Sequence, residues 1–157
     1  MANTQLQELL DRAEINDLIT AYGQGSDLPD LELHLSVYAP DIVLELDDFP
    51  PIKGVDALRA AMADGSLGKK VTGCTKQAST HAMVNARIDI DGDEATGVVY
   101  GLIYLVGTRE GAPYAATRGL LYTDRYRRID GKWLITYRRH ALKWQIEGTP
   151  SPLPTAG

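Results

Sequence analysis

Apolar residues near the start of the chain recur at helical spacing. Leu6, Leu9, Leu10, Ala13, Leu18 and Ile19 form a stripe that Ile15 widens, with Gln5, Glu8, Asp11, Arg12, Asn16 and Asp17 between them. The spacing predicts a helix from about Thr4, a residue suited to an N-cap, to Tyr22, with Gly23 and Gly25 ending it. A second short helix is expected over Pro29–Tyr38, because Pro29 suits a first helical position and Asp30 and Glu32 suit the dipole there. Asp41–Leu46 alternates around Ile42, Leu44 and Leu46 and predicts a strand, and Gly54–Ala63 predicts a third helix closed by an Asp64-Gly65 turn. From Thr75 onward the period changes to two. Ser79–Ile90, Ala95–Gly107, Tyr114–Ile129 and Lys132–Trp144 read as long strands. They are separated by a tight Asp91-Gly92-Asp93 turn, a looser Arg109-Glu110-Gly111 turn and Asp130-Gly131. Helices followed by an antiparallel meander define an α+β class. In Ala95–Gly107, Val98, Leu102 and Val106 alternate with Val99, Ile103 and Leu105, so both faces are apolar. Helices would cover one face, leaving the other for a cavity wall and a subunit contact.

Composition narrows the class. The 157 residues fit one domain, taken as residues 1–148, followed by a proline-rich tail over 149–157. Sixteen Lys and Arg against twenty-one Asp and Glu give a net charge of −5, which offers no basic face for nucleic acid. The one cysteine, Cys74, has no partner for an internal disulfide. Charged residues near the start interrupt any signal-like apolar run, and no apolar stretch approaches the roughly 20 residues of a membrane span. The expectation is a soluble, cytoplasmic protein with no membrane partner.

Three histidines make a short list for chemistry. His34 sits among Leu33 and Leu35 without a polar neighbour, and His140 follows Arg138 and Arg139, which favours a solvent-facing position. His81 lies early in a predicted strand among apolar or small residues; a core histidine bonded to a backbone carbonyl and a functional base both fit that position. Asp27, just past two glycines, either caps the helix starting near Pro29 or reaches into a cavity mouth. No second or third ligand accompanies His81, so no metal is expected. Gly23 and Gly25 open no strand–turn–helix unit, so no phosphate loop and no cofactor are expected either.

The order and spacing of several segments resemble the SnoaL-like group of the NTF2-like (cystatin-like cone) superfamily. The segments are Ala13-Glu14-Ile15-Asn16-Asp17-Leu18-Ile19 with Tyr22 and Asp27, Tyr38-Ala39-Pro40-Asp41-Ile42, and Ile52-Lys53-Gly54-Val55-Asp56-Ala57-Leu58. Further on come His81 with Asn85, Ile88-Asp89-Ile90-Asp91-Gly92-Asp93-Glu94-Ala95, Tyr122-Thr123-Asp124-Arg125-Tyr126, Asp130-Gly131-Lys132-Trp133 and Arg138. The resemblance implies a cone in which N-terminal helices pack on a strongly curved, mostly antiparallel sheet around an apolar cavity. Within the group the chain is most similar to the lyase branch of scytalone dehydratase, bile-acid 7α-dehydratase and hexachlorocyclohexane dehydrochlorinase. That branch implies an Asp–His pair at Asp27 and His81, a tyrosine at Tyr22 and an arginine at Arg138. The segment Asp27-Leu28-Pro29-Asp30 lacks the Gly and Trp common there, so the rim of the pocket differs.

The implied activity is a cofactor-independent elimination, of dehydratase type, on a small hydrophobic hydroxylated substrate such as a terpenoid, polyketide or steroid skeleton. The residues expected to line its pocket are Val43, Met62, Met83, Tyr100, Leu102, Tyr104, Leu120 and Tyr122. Two alternatives stand beside it. One is an isomerase or polyketide-cyclase-like enzyme using the same dyad for enolisation; the other is a non-catalytic association domain like the small subunit of ring-hydroxylating dioxygenases. The surplus of apolar sheet surface predicts a homo-oligomer, with a trimer favoured over a dimer by the resemblance.

Overall fold

A computed structural model describes residues 2–28, 30–63 and 65–151, with side chains from residue 5 onward. Among these residues the chain forms α1 (Ala2–Asp27), α2 (Leu31–Leu35), β1 (Tyr38–Leu46), β2 (Ile52–Lys53), α3 (Val55–Met62) and α4 (Ser66–Thr72). The long strands β3 (Thr75–Asp91), β4 (Glu94–Arg109), β5 (Ala112–Ile129) and β6 (Lys132–Gly148) follow. The expected cap at the Thr4 side chain, Pro29 at the start of the second helix, Asp64 of the turn after the third, and the tail from residue 152 lie outside the described residues.

The strands make one sheet in the order β2-β1-β6-β5-β4-β3, antiparallel except where β1 joins β6 in parallel. The β3–β4, β4–β5 and β5–β6 hairpins each close with two residues. Glu110 and Gly111 both take positive φ (52° and 81°), as do Asp130 and Gly131 (50° and 80°). The turn expected to be looser is therefore as tight as the later one, and both match the strand twist. Register shifts between Met83 and Ala86, Gly119 and Leu120, and Arg125 and Tyr126 bend the long strands, so the sheet curls around the helices.

Helix α1 runs past both glycines that were expected to stop it. Gly25 is needed because a Cβ there would lie 2.5 Å from the backbone nitrogen of His34. Close packing of α1 on α2 and β3 outweighs the roughly 1 kcal/mol that a helical glycine costs. The buried face of α1 also differs from the leucine stripe. Ile15, Ile19 and Tyr22 enter the core with Trp133 and Ile135, whereas Leu6, Leu9 and Leu10 are 55%, 65% and 55% exposed. Two polar anchors fix this rotation: Glu14 Oε1 accepts the Trp133 backbone N–H at 2.9 Å, and buried Asp11 pairs with Arg128 at 2.7 Å.

The second helix is shorter than expected. Asp30 caps it by accepting the Leu33 N–H at 2.9 Å. Pro40 disfavours helix at Ala39, and β1 already begins at Tyr38. Helix α4 carried no readable stripe because none of its residues is buried; it lies between Gly65 and Gly73, both with positive φ (70° and 68°).

Candidate active site

Helices and the inner face of the sheet enclose a cavity of about 670 Å³. Leu44, Leu58, Met62, Ile103, Leu105 and Leu120 form apolar parts of its wall, and residues of α4 from Ser66 to Thr72 line it from above. Into this apolar setting project Tyr22, Ser26, Ser79, Lys69, Lys76, Arg118 and all three histidines of the chain.

The end of α1 and the middle of β3 bring Asp27 and His81 together. Their contact is 2.6 Å between Oδ1 and Nδ1, and Oδ2 of the same carboxylate accepts the His81 backbone N–H, also at 2.6 Å. Ser79 donates to Oδ1 at 2.7 Å, and Lys76 donates to Ser79 at 3.1 Å and to the Ser26 carbonyl at 2.7 Å. An ionised carboxylate only accepts, so the His81 proton sits on Nδ1 and the lone pair on Nε2. Burial works against the charge on Asp27, but the bonds from His81 and Ser79 outweigh it and hold the carboxyl below its ordinary range. Burial also pushes the His81 imidazolium down, beyond what Asp27 restores, and Lys76 and Arg118 push the same way. At neutral pH His81 is an oriented neutral base.

His34 and His140 flank this pair and do not behave as expected. His34 is buried, and its Nδ1 lies 2.9 Å from Ser26 Oγ. That hydroxyl already gives its proton to the Tyr22 carbonyl at 2.8 Å, so His34 donates from Nδ1 and its Nε2 is an acceptor. Burial, with Arg138 and His81 nearby, pushes His34 down to about 4. His140, expected in solvent, instead points inward opposite Tyr122, its ring 5.0 Å from the tyrosine ring. Burial and the two arginines, Arg118 and Arg138, push it down to about 3.

Tyr22 lines the cavity edge-on to His81, with ring centroids 6.1 Å apart, and its hydroxyl lies 3.5 Å from that of Tyr122. Burial, more than the nearby Tyr22, raises the Tyr122 hydroxyl far above its ordinary value, so it stays protonated. Arg138 is not at the cavity wall. It is fully buried and grips Asp124 on the neighbouring strand with two bonds, Nε–Oδ1 at 2.8 Å and Nη2–Oδ2 at 2.7 Å. Its guanidinium lies 4.2 Å from the Tyr22 ring centroid and 4.8 Å from that of Tyr122. The expectation that Arg138 donates into the site is thus corrected: it holds the two tyrosine rings from behind.

Of the expected pocket wall, Met62 and Leu120 line the cavity. Tyr122 lies beneath it, and Met83 packs between the Gly23 backbone and Gly101. Val43, Tyr100, Leu102 and Tyr104 do not line it. Tyr100 and Tyr104 are 51% and 46% exposed on the outer face, with Leu102 between them, and Val43 alternates away from wall residue Leu44. The inner row of β4 is instead the odd-numbered one that contains Ile103 and Leu105. Sequence reasoning missed Arg118, Lys76 and Ser79. The signal for Arg118 lay in β5, where Tyr114, Ala116, Leu120, Tyr122, Asp124 and Tyr126 mark every second position as inward, with Arg118 among them. Among the described residues no cluster of His, Cys, Asp and Glu is placed to hold a metal, and no helix is long and apolar enough to cross a membrane.

An α+β cone whose curved sheet and helices enclose a polar-studded apolar cavity is the NTF2-like, cystatin-like architecture. The chain belongs to the SnoaL-like domain family, whose model matches residues 7–139. Among solved structures it resembles a type 2 hexachlorocyclohexane dehydrochlorinase at 19% identity and TM-score 0.82, covering 98% of this chain and 99% of that one. The type 3 enzyme from Novosphingobium barchaimii is similar at 19% identity and TM-score 0.79, with 97% and 99% covered. An NTF2-like protein from Novosphingobium aromaticivorans matches at 25% identity and TM-score 0.73, with 90% and 88% covered. These likenesses establish the fold. No curated protein sequence matches the chain.

Proposed function

We propose that the protein is a cofactor-independent lyase that eliminates water from a small hydrophobic hydroxylated molecule, with His81 as general base and Asp27 as its orienting partner. The observation that carries this reading is the doubly anchored Asp27–His81 contact at 2.6 Å, with the ring at the wall of an apolar cavity. His81 Nε2 takes a proton from carbon, the C–H electrons form the double bond, and the neighbouring C–O bond breaks. The departing oxygen needs a proton, and the Tyr22 hydroxyl at the same wall supplies it, leaving water. Asp27 stabilises the imidazolium formed in the step. The same base would enolise a carbonyl compound, so isomerisation or cyclisation differs in product and not in the first proton transfer. The dehydrochlorinase likeness supports proton abstraction as a use of this architecture. An association domain has no use for a polar pair with a buried carboxylate inside an apolar cone, which costs desolvation without return.

The test is turnover of hydroxylated terpenoids, steroids and polyketides, followed by mass spectrometry for loss of water. Wild-type protein is expected to convert a member of the panel, and His81→Ala and Asp27→Asn each to lower the rate about 10²- to 10⁴-fold. Near-full turnover in both variants would exclude the dyad.

A further inference from the structure

The charges around the cavity do not follow those of the chain. The protein carries a net charge of −5, yet the described cavity wall holds Lys69, Lys76 and Arg118 and no Asp or Glu side chain. Lys69 belongs to exposed α4, and Lys76 is engaged with Ser79 and the Ser26 carbonyl. Arg118 is different. It is 6% exposed, and among the described residues no carboxylate lies within ion-pair distance of it. Its Nη2 donates to the Val71 carbonyl at 3.3 Å, while Nε is buried with no partner at all. Arginine stays charged under these conditions, so the fold holds an unneutralised guanidinium against an apolar cavity. Burying a charge without a partner is costly, and a ligand that supplies the partner recovers that cost.

We infer that Arg118 is a specificity residue that holds the carboxylate of a hydrophobic substrate, so that the molecule processed here is an acid. This rests on the cavity being the substrate site. The sheet register fixes the relation between the two groups: His81 pairs with Ile103, and Ile103 pairs with Arg118. Base and guanidinium therefore project from one row across three strands, two strand spacings or about 10 Å apart at the backbone. Ile103 between them offers apolar contact to the carbon skeleton. A planar guanidinium matches a carboxylate in two-bond geometry, which an alcohol or ester cannot reproduce. The acid is thus anchored at one end while a carbon along its skeleton is presented to His81.

The experiment measures binding of two probe acids, naphthalene-1-acetate and 4-cyclohexylbutanoate, and their methyl esters by calorimetry. The proteins are full-length wild type, Arg118→Met and Arg118→Lys. Wild type is expected to bind acid about tenfold or more tighter than ester. Arg118→Met is expected to abolish that preference while leaving ester affinity and the melting temperature of the free protein no lower; Arg118→Lys is expected to keep part of it. Equal affinity for acid and ester in wild type, no acid binding, or a preference that survives Arg118→Met would overturn the proposal. If Arg118 served only a developing enolate, Arg118→Met would lower turnover without altering probe preference, which also overturns it. The two readings fail separately. His81-dependent turnover without acid preference removes the carboxylate anchor and spares elimination. Arg118-dependent acid preference without turnover by any panel member does the reverse.

Discussion

The closed end of the cone and its open cavity each bury an arginine from the inner face of the sheet, and they compensate it differently. At the closed end Arg138 meets Asp124 directly across the strand pair, both fully buried, and Tyr126 adds its hydroxyl to Asp124 at 2.7 Å. The charge is matched within the protein, and the ion pair backs the rings of Tyr22 and Tyr122. At the cavity Arg118 has one long bond to a carbonyl and an unpaired Nε. The first charge is neutralised by a carboxylate, although Nη1 of Arg138 is also buried without a hydrogen-bond partner; the second has no carboxylate in ion-pair contact among the described residues. Truncation should therefore act with opposite sign at the two arginines.

The largest effect belongs to the neutralised pair. Arg138→Met leaves the Asp124 carboxylate buried without its cation, a loss of about 3–5 kcal/mol in unfolding free energy. Urea denaturation reads it directly, and the double variant Arg138→Met, Asp124→Leu is expected to recover most of the loss, since two apolar groups leave no orphan charge. An Arg138→Met protein as stable as wild type would mean that the pair does not hold the closed end together. Because the tyrosines rest on Arg138, the same variant should also slow turnover through Tyr22 without touching the dyad.

The two arginines differed in how legible they were. Arg138 stood out through the family resemblance, but a resemblance could not say that Asp124 would claim its guanidinium. Arg118 was hidden by a preference for large apolar side chains as cavity wall. The same bias misplaced Tyr100, Leu102 and Tyr104. Both faces of β4 carry apolar residues, and the inner row looks weaker because it includes Gly97, Gly101 and Gly107. Gly101 is small for a reason outside its own strand: a Cβ there would lie 2.8 Å from the Tyr122 ring. A neighbouring strand's bulk is invisible to one strand's periodicity. The Asp27–His81 contact was legible because the family resemblance pointed to both residues, and the helix past Gly25 that delivers Asp27 was not, since only tertiary contact justifies it.

A smaller effect tests how far the cavity's positive charges reach. His34 and His140 are held at about 4 and about 3 against an ordinary 6.5. Below pH 6.5 the unfolded chain takes up protons that the fold refuses, so stability is full above 6.5 and falls as pH drops toward 4. Each group contributes roughly 3 kcal/mol of this loss by pH 4. Asp27, held below its ordinary range, adds loss in the same direction, but only at the acid end of the window. His140→Leu should flatten the slope of unfolding free energy between pH 6.5 and 4.5. An unchanged slope would show that His140 is protonated as readily in the fold as in the open chain. Hydrophobic acids that bind at Arg118 should flatten the slope in wild type too, by neutralising a charge that opposes His140 protonation.

The smallest effect on the protomer concerns the face opposite the cavity. On β4 and β6, Tyr100, Tyr104, Trp144 and Ile146 are 51%, 46%, 47% and 66% exposed. The register shift between Gly119 and Leu120 turns Trp144 outward over Gly119, whose missing side chain makes room for the indole. Tyr104, Thr117 and Ile146 then share one row across three strands, and Leu102, Gly119 and Trp144 share the next. An apolar band this continuous suits self-association, and we propose a trimer built on it. Ile146→Lys should change protomer stability by no more than about 0.5 kcal/mol, because the side chain already faces solvent. Its mass by light scattering should nevertheless fall from three chains toward one, while the Asp27–His81 contact on the other side of the sheet is retained. A wild-type mass of one chain would remove the interface altogether, and a mass unmoved by Ile146→Lys would take it off this row of the sheet.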